Sequence, residues 1–189
     1  MRDDATVTAW ALAARDGDPA AVEQFVRATR ADVRRYVAHL SGDPQAADDL
    51  VQDTYMRALR SLPRFEGRSS ARTWLLVIAR RVVADRIRSL SARPRIAGTD
   101  DWQAAAERRQ PCGVPGFDEG VALGELLAAL PTAQRDAFVL TQLLELPYSE
   151  AAAVTDCPVG TIRSRVARAR EFLIAQLSAA EDEPVGALA

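Results

Sequence analysis

The chain has 189 residues, 48% of them apolar, and a formal net charge of −2. That length holds one full domain or two small ones, and the apolar content suits a packed core rather than a disordered chain. The longest central apolar run, Trp74–Ala79, stops at Arg80 and Arg81, far short of the roughly 18–20 residues that a membrane span needs.

The near-neutral total hides a segregated pattern. Residues 57–95 carry a net charge of +9 and residues 163–170 a net of +4, whereas residues 1–56, 96–162 and 171–189 are acidic. All 24 basic residues are Arg and none is Lys, so every basic contact is a planar guanidinium with several donors. Two basic blocks in an acidic chain point to two nucleic-acid contacts. A solvated helix face explains most charge runs equally well.

Ala, Leu, Arg, Glu and Gln dominate, and no period-2 strand is visible, which predicts an all-α fold. The first predicted helix covers about Thr6–Arg15 and ends at the Asp16-Gly17-Asp18-Pro19 turn, where Asp18 is the expected cap of the second. The second runs to about Leu40, with Val22, Phe25, Val26, Val33, Tyr36, Val37 and Leu40 as its apolar positions. After Ser41-Gly42-Asp43-Pro44 comes a third helix with Ala47, Leu50, Val51, Thr54, Ala58 and Leu62 along one stripe, stopped by Pro63. Asp48, Asp49, Gln52, Asp53 and Met56 crowd its outer face. Acids near a helix start favour the dipole, and such a face also suits a basic helical partner; periodicity leaves both open.

A short loop of Pro63-Arg64-Phe65-Glu66-Gly67-Arg68-Ser69-Ser70 leads to a long helix over about Ala71–Leu90. That helix carries Arg72, Arg80, Arg81, Arg86 and Arg88 around an apolar stripe of Trp74, Leu75, Ile78 and Val82. The loop has the composition to cradle an unstacked base beside an aromatic ring; Trp74 reads as core, and Phe65 is left open between the two roles. Residues 96–119, with Gly98, Pro111, Gly113, Pro115 and Gly116, read as a flexible linker whose first half holds one large apolar side chain, Trp102.

Further helices are predicted over about Val121–Leu130, Ala133–Leu144 and from Tyr148, with Ser149 as the expected cap. Thr155-Asp156-Cys157 makes a tight turn before a last helix from Pro158 to about Leu177, the pattern of a helix-turn-helix. Asp156 sits where such turns often carry Gly, and Asp tolerates the left-handed conformation better than most residues. In the last helix Ile162, Val166, Ala169 and Leu173 should face the core. Thr161, Ser164, Arg165 and Arg168 should face DNA, with Arg163 and Arg170 on the backbone. The tail from 181 to 189 is expected to be disordered.

The two cysteines, Cys112 and Cys157, lie far apart, which argues against a disulfide scaffold or zinc cluster and fits a reducing cytosol. The Met-Arg-Asp-Asp start lacks a secretory core, so a cytoplasmic location and no membrane partner are expected. His39 sits among Tyr36, Val37 and Leu40 and reads as structural. No metal-spaced carboxylate cluster and no phosphate-cradling Gly loop occurs, so no enzyme activity, cofactor or metal is expected.

Three strings, DDLVQDTYMRAL (48–59), GRSSARTWLLVIARRVVADRIR (67–88) and PYSEAAAVTDCPVGTIRSRVARAR (147–170), occur in this order around the linker. Together they resemble the group IV, or extracytoplasmic function (ECF), sigma factors of bacterial RNA polymerase, and within them the actinobacterial sigma-C-like group. The resemblance covers about residues 6–177. It implies a sigma domain 2 bundle over 1–95, a linker over 96–119 and a sigma domain 4 helix-turn-helix over 120–180. It also implies core RNA polymerase and promoter DNA as partners, with an anti-sigma factor as a further one.

By the same resemblance, Asp48, Asp49, Gln52, Asp53 and Met56 dock on the clamp coiled coil of the largest polymerase subunit. Arg64, Phe65, Arg68, Ser69, Ser70, Arg80, Arg81, Asp85 and Arg88 open and hold the −10 element. Thr161, Arg163, Ser164, Arg165 and Arg168 read the −35 element. Arg81 stands where many members have Asn, and Ala167 where some have an aromatic, so base preferences do not transfer. A stand-alone dimeric helix-turn-helix regulator would also explain residues 147–170 but leaves 48–88 without a role.

Overall fold

In the computed structural model, residues 3–43, 45–92 and 118–182 are described. Among them every regular element is helical: α1 (Asp4–Arg15), α2 (Pro19–Ser41), α3 (Ala47–Ser61), a 3-10 turn (Leu62–Arg64), α4 (Ala71–Ala92), α5 (Asp118–Ala129), α6 (Thr132–Phe138), a π-turn (Val139–Leu143), α7 (Tyr148–Thr155) and α8 (Val159–Asp182).

Local chemistry sets most of the boundaries. Asp3 accepts from the Ala5 N–H at 3.1 Å, so α1 starts two residues earlier than its apolar pattern indicates. Asp18 accepts from the N–H groups of Ala20 and Ala21, with Pro19 as the first helical residue. Gly42, at φ 66°, closes α2 in the left-handed conformation that costs glycine least. Asp156 does the same for α7 at φ 54°, the position where the sequence shows Asp in place of the usual Gly.

Two boundaries differ from expectation. Ser149 caps nothing: it lies inside α7, whose N-cap position is Pro147, with no side-chain cap. The predicted Ala133–Leu144 helix stays α-helical only to Phe138 and then widens, with the Leu144 N–H bonded to Val139 O at 2.9 Å, five residues back. Residues 118 and 119, assigned to the linker by composition, already belong to α5, and Glu181 and Asp182 of the expected tail end α8. Residues 93–117, with Trp102 and Cys112, and residues 183–189 lie outside the described residues.

Helices α1–α4 enclose Phe25, Tyr36, Leu75, Leu76 and Val83, and α5–α8 enclose Leu127, Leu140, Leu144 and Ile162. The two domains are shut against each other. Buried side chains of α1–α4 continue without a break into Ala137, Val139, Leu140 and Val154 of the second domain. A smaller cluster of Leu127, Leu130, Ala169 and Leu173 holds α5 to α8.

Candidate functional site

The outer face of α3 is open to solvent. Leu50, Val51, Thr54 and Ala58 are buried, which turns Asp48, Asp49, Gln52, Asp53 and Met56 to solvent. Met56, 45% exposed, is an unusually open methionine. Asp48 is paired with Arg34 Nε of α2 at 3.3 Å. Beside it α2 and α3 form a groove of about 350 Å³ with Val26, Val51 and Tyr55 on its floor and Arg30, Asp49 and Gln52 on its rim. Tyr55 is fixed there by a 2.7 Å hydrogen bond with Thr29, and burial pushes its phenol up to about 12.

The α3–α4 loop divides its residues. Arg64, Arg68 and Ser69 are exposed, and Arg68 Nε donates to Glu66 at 2.6 Å. Phe65 points the other way. It is 4% exposed, with its ring centroid 4.9 Å from that of Trp74, and its carbonyl accepts from Arg15 Nη1 at 3.2 Å. A ring shut into the core offers no face to a base, so the expected cradle beside Phe65 is not what the loop presents. Trp74, read as core, is partly buried and packs against that core.

Along α4, Arg81 and Arg88 are exposed, and Asp85 bridges Arg57 of α3 and Arg88. These two guanidiniums hold the Asp85 carboxyl below its ordinary value, chiefly through the Arg57 hydrogen bond. Arg72, counted with the basic positions of this helix, is turned inward: Nε donates to Asp32 at 2.8 Å, and the two side chains are 12% and 8% exposed. It is a junction residue, not a surface contact.

The second domain sits on part of this basic surface. Arg80 Nε donates to Asp136 of α6 at 2.9 Å, and Tyr36 of α2 donates to the other oxygen of the same carboxylate at 2.7 Å. Ser70 donates to Glu150 of α7 at 3.1 Å, and Thr73 donates to the same oxygen. The widened end of α6 leaves the carbonyls of Leu143 and Leu144 without helical donors. Arg35 Nη1 fills the first at 3.1 Å and Arg72 Nη2 the second. These are cations placed at the negative end of a helix.

Sequence reasoning missed Tyr36, Asp136 and Glu150 as partners. The one available signal was a carboxylate, Asp136, between apolar helix positions. Next to these bonds lies an interdomain cleft of about 710 Å³ lined by Asp4, Asp32, Arg72 and Glu145. Burial raises the Asp4 carboxyl above its ordinary value against the pull of Arg72, and its Oδ1 has no hydrogen-bond partner.

The last helix is free on the side that would meet DNA. Ile162, Val166, Ala169 and Leu173 are buried, while Arg163, Ser164 and Arg168 are exposed and Thr161 is half-buried. Arg165 is also half-buried, with Nη1 3.5 Å from Cys157 Sγ. Arg170 donates to Gln142 at 2.6 Å, which ties α8 to the π-turn.

No group of His, Cys, Asp and Glu that could hold a metal occurs among the described residues, and none of their helices is long and apolar enough to cross a membrane.

Comparison with known proteins matches both halves. The family model of Sigma-70 region 2 matches residues 25–93, and that of Sigma-70, region 4 matches residues 120–173. The ECF RNA polymerase sigma factor SigC of Mycobacterium tuberculosis is 52% identical over 175 residues, 92% of each chain. The ECF RNA polymerase sigma factor EcfG of Rhodopseudomonas palustris is 37% identical over 145 residues, 77% of this chain and 78% of that one. Among solved structures, CnrH in complex with the cytosolic domain of CnrY has a TM-score of 0.69 at 27% identity, covering 92% of this chain and 98% of that one. The sigma factor RpoE in complex with the anti-sigma factor NepR, from Bartonella quintana, has a TM-score of 0.64 at 27% identity, covering 82% and 96%.

Proposed function

The chain belongs to the ECF family of RNA polymerase sigma factors, and from that premise we propose how its own residues divide the work of promoter-specific initiation. Asp48, Asp49, Gln52, Asp53 and Met56 dock on the clamp coiled coil of the largest subunit of core polymerase. Arg163, Ser164, Arg165, Arg168 and Thr161 read −35 duplex from the major groove, where a guanidinium grips guanine bidentately. Arg64, Arg68, Ser69, Ser70, Arg80, Arg81 and Arg88 hold the opened −10 strand, with Asp85 positioning Arg88. Opening the duplex costs a few kcal/mol for each unstacked base, which phosphate and base contacts offset. The chain itself makes and breaks no bond, and acts in the cytoplasm.

The observation that carries this division is the unequal exposure of the three surfaces. The α3 face and the outer side of α8 are open, whereas Ser70 and Arg80 are occupied by Glu150 and Asp136. The closed molecule therefore meets polymerase and −35 duplex with surfaces already free, and must separate its domains before Ser70 and Arg80 can join in holding a −10 strand. The same open α3 face suits an anti-sigma partner, the kind of partner that NepR is to RpoE.

Run-off transcription with core polymerase and a promoter library tests the reading. The wild type is expected to initiate from a subset of fragments, and a variant with Asp49, Gln52 and Asp53 all changed to Ala is expected to initiate from none. A protein that shifts duplex DNA alone, as a dimer, without ever supporting initiation overturns it.

A further inference from the structure

Arg35, Tyr36 and His39 lie on one face of α2, the face that meets α6 and the π-turn of the second domain. Arg35 and Tyr36 both bond across this seam, to Leu143 O and to Asp136. His39, one turn further on, is the chain's single histidine and is half-buried on the same face of α2. The charges that bear on it come from both sides: Arg35 on its own helix and Arg135 on α6. Both are positive, and no carboxylate is among them. Asp136, the acid next to Arg135, is already taken up by Tyr36 and Arg80. Arg135 Nε is buried without an acceptor, so the seam holds more donors than it can satisfy.

We infer that His39 is a proton-operated release for the closed arrangement: its neutral imidazole lets α2 and α6 shut, and its imidazolium forces them apart. A third positive charge, with one more N–H donor, enters a seam that already lacks an acceptor. Arg35 is already exposed, and separating the domains hydrates the half-buried imidazolium and Arg135 as well. Burial and the two guanidiniums both push His39 below its ordinary value of 6.5. The open form therefore binds the proton more readily than the closed one. The contribution of His39 to closure is full above that ordinary value and is lost as pH falls below it, with a limit for one group of about tenfold in the open/closed ratio per pH unit. The response of the seam to protons stands on its own. Its consequence for transcription, a freer Ser70 and Arg80 in an acidified cell, rests on the promoter reading above.

Small-angle X-ray scattering of the full chain between about pH 8 and pH 5.5 reads the release directly. The wild type is expected to be compact at the upper end and to expand as the imidazole charges. His39→Gln is expected to stay compact throughout, and His39→Arg to be expanded already at the upper end. Arg135→Gln, which removes one of the two repelling charges, is expected to flatten the wild-type response. A wild type of constant size, a His39→Gln variant that expands in step with the wild type, or a compact His39→Arg variant overturns the inference. Circular dichroism on each variant separates domain opening from unfolding. Should His39→Arg lose helicity, the Gln variants decide the matter. None of these measurements involves polymerase or promoter, so a failed promoter reading would leave them unchanged.

Discussion

Tyr36 donates its phenolic proton to Asp136 across the seam between the two domains, at 2.7 Å, with both side chains all but closed to water. The bond joins residues 100 positions apart, and its carboxylate is the one that also holds Arg80. Burial and the neighbouring carboxylate raise the phenol well above its ordinary value, so it is a protonated donor at neutral pH. One buried acid thus ties the second domain both to the core of the first and to the basic helix α4.

Tyr36→Phe deletes this hydroxyl and leaves the ring packing in place. A buried hydrogen bond to a charged group is worth about 1.5–3 kcal/mol, so the open form should gain roughly tenfold or more. The variant is expected to bind single-stranded −10 DNA more tightly than the wild type in fluorescence anisotropy, although no DNA-contacting residue has been touched. An unchanged or weaker affinity would mean that closure does not compete with the strand.

The helices and the buried side of the recognition helix were legible because they are local: Ile162, Val166, Ala169 and Leu173 repeat at the helical period and are all buried. Asp18 and Asp156 announced a cap and a left-handed turn for the same reason. The closed arrangement was not legible. Asp136 and Glu150 find their partners from 56 to 100 residues away, and nothing in their neighbours says so. Arg72 misled because an arginine on a basic helix looks the same whether it meets water or, as here, Asp32 and a helix end. The widened turn after Phe138 left no mark either, since Val139–Leu143 satisfies an α pattern as well as a π one.

Phe65 makes this difference measurable. As a loop residue holding a base, its removal would impair melting and leave the fold intact. As a core residue packed on Trp74, its change to Ala should cost about 3–5 kcal/mol of stability. Thermal denaturation is expected to show a large drop in Tm for Phe65→Ala. A variant as stable as the wild type that fails only in promoter opening would return Phe65 to the DNA surface.

The α3 face should behave in the opposite way. Asp49 and Asp53 are exposed and carry no structural hydrogen bond in their side chains, and substitutions at such positions usually change stability by less than about 0.5 kcal/mol. Asp49→Arg is therefore expected to leave Tm unchanged. It should weaken binding to core polymerase by at least about tenfold, since like charges then meet across the interface. Competition against the wild type for a limiting amount of core, read as run-off product, gives the number. Equal competition would place the docking surface elsewhere.

Arg165 and Arg168 separate two jobs within one helix. Arg168 is exposed on the free side of α8, whereas Arg165 is half-buried and reaches back to Cys157 at 3.5 Å. Arg168→Ala should weaken binding to the preferred −35 duplex by about 1–3 kcal/mol if it grips a base, with little change on unrelated duplex. A phosphate contact would instead weaken both equally and reduce the salt slope by about one. Arg165→Ala removes a contact to the turn as well, so it should lower Tm along with affinity. Anisotropy titrations on specific and unrelated duplexes at two salt concentrations distinguish these outcomes. Should Arg168→Ala change neither affinity nor slope, the free side of α8 would not be the −35 reader, and the exposure that makes it available would need another use.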